Sequence, residues 1–294
     1  MNGALTTLQA ALQKVERERS LTVEPAQRLG VLIGIPASAL CVILYFVGSG
    51  WVALVLALVG LYFLGRWAAA SARAARSFKQ LIVPPLLAEI NPSLKYSPEG
   101  MSQGEFDDYR LFESYDRYSS QDLVSGTAGK TPLRFALVHI EEKRGWGRDR
   151  KYETVFEGLL FVAQLNKDIS ARTRVIFGEA SFLEGLRDTH VELEDPRFNR
   201  LFHVRSTDQV EARYLLTPDM MDRFVALADG FAKIDCVFVD DRVVMALGTD
   251  YGFFDPDTER PFDSAQVFSV LQKLRLAVGI VEALDLNTRI WTVK

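Results

Sequence analysis

The residues that invite a chemical reading are few and scattered. Ser125-Gly126-Thr127-Ala128-Gly129-Lys130-Thr131 has the lysine and threonine of a phosphate loop. The Walker spacing needs a glycine five positions before Gly129, however, and that position is Val124, so a hairpin turn is expected instead. Asp255, Asp257 and Glu259 alternate as in a calcium loop, but no glycine follows in the required place and Pro256 and Pro261 stiffen the stretch. A solvated acidic loop is the expectation. His139, His190 and His203 stand far apart, with no cysteine or second histidine at ligand spacing, so no metal centre is expected. A Gly-x-Ser-x-Gly nucleophile elbow is absent from the sequence. These readings assign no catalytic residue and no cofactor, and point toward a non-enzymatic protein.

Two local groupings carry more. Glu194, Asp195, Asp208, Glu211, Arg213 and Tyr214 bring acids, a cation and a phenol close together in sequence. In a structural reading Asp208 caps a helix, Glu211 reciprocates as in a capping box, and Arg213 ties that helix to Glu194 or Asp195. In a functional reading the same side chains converge in a cleft and bind a ligand or partner. The second grouping, Lys143 to Lys151, holds five basic residues around one tryptophan. Its Arg144, Trp146, Arg148, Arg150 and Lys151 are candidates for contact with lipid headgroups. An ordinary solvated hairpin tip is the simpler expectation for that loop.

Such residues need elements to hold them, and the plainest elements are apolar. Leu29 to Gly65 runs 37 residues without a charged side chain, with Gly48-Ser49-Gly50 in its middle. One helix of that length would measure about 55 Å, against a hydrocarbon core of about 30 Å, so two spans are expected, at 29–47 and 51–70. Lys14, Arg17, Arg19 and Arg28 precede the pair, Arg66, Arg73, Arg76 and Lys79 follow it, and the turn has no basic residue. That asymmetry puts both termini in the cytoplasm of a multi-pass protein. Gly30 and Gly34 in the first span match Gly60 and Gly65 in the second, which allows close packing within the pair or dimerisation through the same residues. Pro36 should bend the first span. The 28 mostly polar residues that come first and the second span that follows do not fit a cleaved signal peptide. Ser38-Ala39-Leu40 before Cys41 does not fit a lipobox, so Cys41 reads as a small apolar side chain in a helix.

Residues 1–80 carry eight basic and three acidic residues, leaving residues 81–294 with 26 basic against 35 acidic, a net charge of −9. An acidic domain repels phosphate backbones, so nucleic acid is not an expected partner. Cys41 and Cys236 are too isolated to form a disulfide framework.

The remaining elements follow from periodicity. Leu5, Leu8, Leu12 and Val15 make the N-terminal segment amphipathic, its apolar face packing on the same chain or on another copy in a homo-oligomer. Trp67 to Val83 has strong helix propensity and should extend the second span until Pro84-Pro85 stops it. Ser102-x-x-Glu105, Asp208-x-x-Glu211 and Thr217-Pro218 open helices near 102–112, 208–215 and 218–229. Strands are expected near 121–126, 132–142, 153–163, 172–177, 200–205, 233–239 and 242–249, the last two as a hairpin turned at Asp240-Asp241. Asp263 to about Leu286 has helical spacing and should cover a sheet with one face. The expected fold is α+β. An amphipathic helix (1–28) and a transmembrane hairpin (29–70) lead through a stalk helix (71–90) to a cytoplasmic domain (91–294) with a mainly antiparallel sheet covered by helices.

Several segments resemble a known family. Pro92-Ser93-Leu94-Lys95-Tyr96, Asp116 to Thr131, Val155 to Lys167 and Leu193 to Arg223 are similar to the bacterial membrane proteins grouped as domain of unknown function 3137. The sharpest parts are Glu194-Asp195-Pro196, Asp208 to Tyr214 and Leu216-Thr217-Pro218. The resemblance implies a two-span bacterial inner-membrane protein with a cytoplasmic domain, and no assigned activity. Ala163-Gln164-Leu165-Asn166-Lys167 departs from the Ala-Asp-Phe-Asn-Lys expected of the family, which removes an acid. Together these readings predict a membrane-tethered adaptor or regulatory protein whose partners are the lipid bilayer and another protein. The alternative is an enzyme or ligand sensor built on the Asp208 to Tyr214 cluster.

Overall fold

The structure, a computed structural model, describes residues 2–46, 50–112, 114–145, 150–178 and 189–286. It divides into two compact units, Met1–Leu86 with Phe254–Gln272, and Leu87–Phe253 with Lys273–Lys294. The sequence boundaries place 254–272 in the same domain as the sheet, whereas its side chains lock onto the N-terminal helices.

The first unit is helical. Helix α1 (Asn2–Leu29) passes through one π-helical turn (Gly30–Gly34) directly into α2 (Ile35–Phe46), so the amphipathic segment and the first apolar span are continuous. The π turn explains the position of Pro36. The Ile35 N–H reaches back five residues to the Gly30 carbonyl, and the next residue has no N–H to offer. Helix α3 (Gly50–Ile90) is 41 residues long and does not stop at Pro84-Pro85. Ile82, Val83, Leu86 and Leu87 are buried on either side of the prolines, and that burial carries the helix through the two missing hydrogen bonds. The helices approach closely where glycines face each other: a Cβ on Gly60 would lie 3.1 Å from the Gly34 carbonyl oxygen, and one on Gly30 would lie 3.3 Å from the Trp67 ring.

Below that contact Val15, Arg19, Val23 and Ala26 form a buried stripe on α1. Arg19 pairs with Glu16 and Glu24, both at 2.9 Å, and reaches the Thr258 carbonyl. Glu16 in turn accepts the Phe262 N–H at 2.6 Å. Phe262 packs on Phe78 with ring centroids 4.9 Å apart, and the buried Lys79 meets Asp255 at 2.6 Å. The acidic stretch 255–259 is therefore anchored to this unit, and is not simply solvated as its composition predicts.

The second unit is built on one antiparallel sheet of β1 (Lys95–Glu99), β2 (Arg117–Ala128), β3 (Thr131–Arg144), β4 (Lys151–Phe177), β5 (Thr189–Val191), β6 (Phe202–Ser206) and β7 (Ile234–Gly248). Ser125 to Thr131 is the β2–β3 hairpin end, turned at Gly129 (φ 60°). The β7 element doubles back, because the Gly248 N–H donates to the Lys233 carbonyl at 2.8 Å and so sets its two ends side by side. Asp240, with φ 55°, stands at the turn, as the alternation of Ile234–Val239 and Val243–Leu247 predicts. The long β4 then follows the outline of that hairpin. Its residues 158–164 pair with the returning half, 242–248, and its residues 169–176 pair with the outgoing half, 235–240. The two strands expected at 153–163 and 172–177 are thus one element bent around the tip.

The two faces of the sheet differ. One carries Phe135, Phe161 and Met245, then Cys236, Val175, Val204 and Val191, in rows joined by strand register. All are buried. Helices α5 (Pro196–Leu201) and α7 (Pro218–Ala228) contribute Phe198 and Phe224 to an aromatic cluster with Phe202 and Phe238. Helix α8 (Ser264–Ala283) ends beside α7, where Arg223 donates to the Ala283 carbonyl and pairs with Asp285. On the opposite face Ala136, Val138, Leu160, Val162, Val244 and Ala246 are covered by Phe106 and Tyr109 of α4 (Gln103–Tyr109).

Candidate functional site

The Asp208 to Tyr214 run forms α6 (Gln209–Leu215), and its side chains separate. Asp208 caps the helix, accepting the N–H groups of Val210 (2.8 Å) and Glu211 (3.1 Å). Glu211 does not complete the predicted capping box, because Ser206 Oγ already takes the Asp208 N–H at 3.1 Å. Instead the Glu211 carboxylate accepts from Ser170 N (3.1 Å), Ser170 Oγ (2.9 Å) and Ala171 N (2.6 Å), satisfying β4 backbone just after it rounds the hairpin tip. Arg213 donates to the carbonyls of Gln209 and Glu192, so it ties α6 to the preceding segment through backbone rather than through Glu194 or Asp195.

Asp195 caps α5 through the Arg197 N–H at 2.7 Å, and that bond, with the Arg197 guanidinium, holds its carboxyl below the usual range. Arg197 also reaches Asp222 at 2.6 Å. Glu194 is exposed, as is Tyr214. The six predicted residues therefore do not converge in a cleft.

The basic loop lies at the β3–β4 hairpin end, where Trp146 and Arg148 fall outside the described residues. Arg144 pairs with Glu142 (3.1 Å) and Glu153 (3.4 Å), while Arg150 and Lys151 are exposed. Arg117 lies 3.4 Å from the Tyr152 ring centre, so acids and an aromatic ring interleave with the cations of the described part of this tip. Gln164 donates to Asp241 at 2.8 Å across the β7 turn. An aspartate at 164 would face a second carboxylate there.

A concave site appears elsewhere, on the polar part of the second sheet face. Arg172 and Arg174, two residues apart on β4, point the same way, and Arg205 on β6 is the register partner of Arg174. Arg172 and Arg174, with Arg110 at the C-terminal cap of α4, border a cavity of about 610 Å³ that is also lined by Phe106, Phe112 and Tyr115. Arg174 is only 3% exposed and donates to the Arg110 carbonyl at 2.5 Å. Asp107 is the one acidic lining residue among those described, and its carboxylate accepts a hydrogen bond from the Tyr115 hydroxyl. Burial and that acceptor push Tyr115 up to about 12. On the same face as Arg174, Asp235 pairs with Lys233 at 3.1 Å, and burial raises its carboxyl above the usual range. Sequence reasoning missed this site. Its one sequence signal was an Arg-x-Arg step at strand period in an acidic domain.

Among the described residues no three His, Cys, Asp or Glu side chains gather where a metal ion could sit. His190 and His203 come within 6.4 Å, ring centre to ring centre, on β5 and β6.

Residues 154–286 match the family described as Protein of unknown function (DUF3137). The DUF3137 match starts in β4 and so includes Arg172, Arg174, Arg205 and the α6 run, but not α4 or the first three strands. The segments at 92–96 and 116–131, expected from the sequence to be family-like, lie outside the match. No curated protein matches the sequence. Among solved structures the chain is similar to the crystal structure of the mycobacterial trehalose monomycolate transport factor A, TtfA, at 12% identity over 67% of this chain and 91% of that one, with a TM-score of 0.36.

Proposed function

We propose that this chain is a non-enzymatic adaptor or regulatory protein of the bacterial inner membrane, anchored by two spans and acting by binding another protein in the cytoplasm. The observation that carries the anchoring is the outward side of α2 and α3. Leu32 (72% exposed), Phe46 (82%) and Trp51 (77%) lie on helices that carry no charge between Leu29 and Gly65. Lipid covers such a surface without cost, and water does not. Basic residues flank both helical ends on one side, which orients both termini inward.

The binding role is supported by α6. Its acids and arginine serve as caps and struts, while Val210 (78% exposed) and Tyr214 (39%) stand one turn apart on its outer side. Photo-crosslinking groups placed at Val210 and Tyr214 in cells should each yield the same discrete protein adduct, and Val210→Arg in the Tyr214-labelled chain should remove it. A blank at both positions would reject the adaptor reading. Arg144, Trp146, Arg148, Arg150 and Lys151 remain the headgroup candidates, tested by crosslinking the same cells to lipid from position 146.

A further inference from the structure

We propose that the flank of α3 carrying Tyr62, Arg66 and Arg73 binds one anionic phospholipid of the inner leaflet, its phosphodiester held by the two guanidinium groups. The inference rests on the two-span reading and goes beyond it, since an anchor needs no particular lipid. Every residue it uses lies within 1–86.

The two long helices balance their charge differently. On α1 the cations meet carboxylates: Arg19 pairs with Glu16 and Glu24, and Arg28 reaches Glu24 at 3.7 Å. Helix α3 carries Arg66, Arg73, Arg76 and Lys79, and its first carboxylate is Glu89. Lys79 is buried against Asp255. The three arginines are exposed, and no carboxylate among the described residues pairs with them. A carboxylate three or four positions away would stabilise a solvated helix, and α3 goes without it.

Depth adds a second reason. Gly30 of α1 faces the Trp67 ring of α3, so Arg28, the last charge before the uncharged run, sets the lipid boundary close to Trp67. Arg66 lies on the lipid side of that level and is held there. Its Nη1 donates to the Tyr62 hydroxyl at 3.1 Å, and its guanidinium carbon lies 5.8 Å from the Tyr62 ring centre, one turn further toward lipid. Arg73 follows seven residues and about 10 Å along the same flank. Its Nε donates to the Ala69 carbonyl at 3.1 Å, so it leans toward lipid as well, the N-terminal direction of α3. Each of these bonds engages part of a guanidinium and leaves other N–H groups to a ligand. An unpaired guanidinium at the edge of the hydrocarbon is costly, and a phosphate drawn to it removes the cost. A zwitterionic headgroup would bring an ammonium toward the second arginine, which repels it; an anionic one brings none.

The test uses the full chain in detergent, with dioctanoyl phosphatidylglycerol and dioctanoyl phosphatidylethanolamine as probes at constant ionic strength, bound lipid being counted by native mass spectrometry. One phosphatidylglycerol should be retained saturably and phosphatidylethanolamine should not. Arg66→Gln and Arg73→Gln, both at exposed positions, should each weaken that retention about fivefold. Arg28→Gln removes the same charge close to the same boundary and should leave retention unchanged. Equal retention of the two lipids, or an equal loss in all three variants, overturns the site, because charge around the boundary then acts diffusely. Self-association lost in both α3 variants while lipid retention stays intact assigns the flank to the acidic domain of a second copy and overturns it too. Insertion is read separately, by alkaline extraction of vesicles carrying the chain. A chain that stays in the vesicles but shows no preference for phosphatidylglycerol keeps its two spans and loses the site; a chain released by alkali loses both.

Discussion

A glutamate three positions after a capping aspartate ordinarily turns back to the cap's own N–H. Glu211 instead spans 41 residues of sequence to close the backbone of Ser170 and Ala171. Glu211→Ala should therefore cost more than removing the cap: about 2 kcal/mol, chiefly for stranding the part-buried Ala171 N–H, against about 1 kcal/mol for Asp208→Ala. Glu194→Ala should stay within about 0.5 kcal/mol. Thermal unfolding of the full chain in detergent ranks the three, and equal losses would show that Glu211 serves only its own helix. Cys236 offers a second check. Burial pushes its thiol well above the usual range, so a maleimide should leave it unlabelled until the domain is denatured. The cap at Asp208 was legible because capping is local. The partner of Glu211 and the arginine-lined cavity were not, because strand period tells which residues share a face and says nothing of what lies over it.

Elements show the same division between local and distant causes. The β7 hairpin was readable from alternation on both sides of Asp240-Asp241. The path of β4 around it was not, since a bend of that kind is dictated by the hairpin's outline rather than by the sequence of β4. Pro84-Pro85 misled for a related reason: propensity ends a helix there, and buried side chains on both flanks continue it. The contact between α1 and the 254–262 stretch was beyond periodicity altogether, and it makes a pH prediction. Burial alone would raise the Glu16 carboxyl, but hydrogen bonds from Arg19 and the Phe262 N–H outweigh it and hold the group below its usual range. A carboxyl lowered on folding contributes stability that is fully present above its unfolded value, about 4.5, and is lost as pH falls through the folded one. Protease cleavage within α1 should thus be slow at neutral pH and accelerate only below about 4.5. Glu16→Gln should speed cleavage at pH 7 and flatten that acid-side rise; a variant that keeps the wild-type profile would remove Glu16 as the titrating group.

At the scale of the whole molecule the number of crossings is the quantity to measure, because among the described residues three helices are long and apolar enough to span a bilayer by length and composition: Leu8–Phe46, Trp51–Ile90 and Ser264–Ala283. The first two carry the uncharged stretch and the exposed apolar side chains. The third differs in two respects. Lys273 and Arg275 sit in its middle, and Val267, Val270, Leu274, Ala277, Val278 and Val281 bury a stripe of it within the protein. A charged residue at the bilayer centre costs about 2.5–3.5 kcal/mol on insertion scales, which argues against α8 as a third crossing. Two crossings return the C-terminus to the side of the N-terminus, whereas a third would deliver it outside. Green fluorescent protein fused at the C-terminus should therefore fluoresce and alkaline phosphatase fused there should be inactive, while alkaline phosphatase inserted at Ser49 should be active. Replacing Arg66, Arg73, Arg76 and Lys79 with glutamine should then lower the phosphatase activity at Ser49 by weakening the basic anchor that keeps the following segment inside. An active phosphatase at the C-terminus together with an active one at Ser49 would make α8 a span, and the acidic sheet domain, entered after α3, would still face the cytoplasm. Activity at the C-terminus with none at Ser49 would invert the hairpin and place the arginine-lined cavity outside the cell.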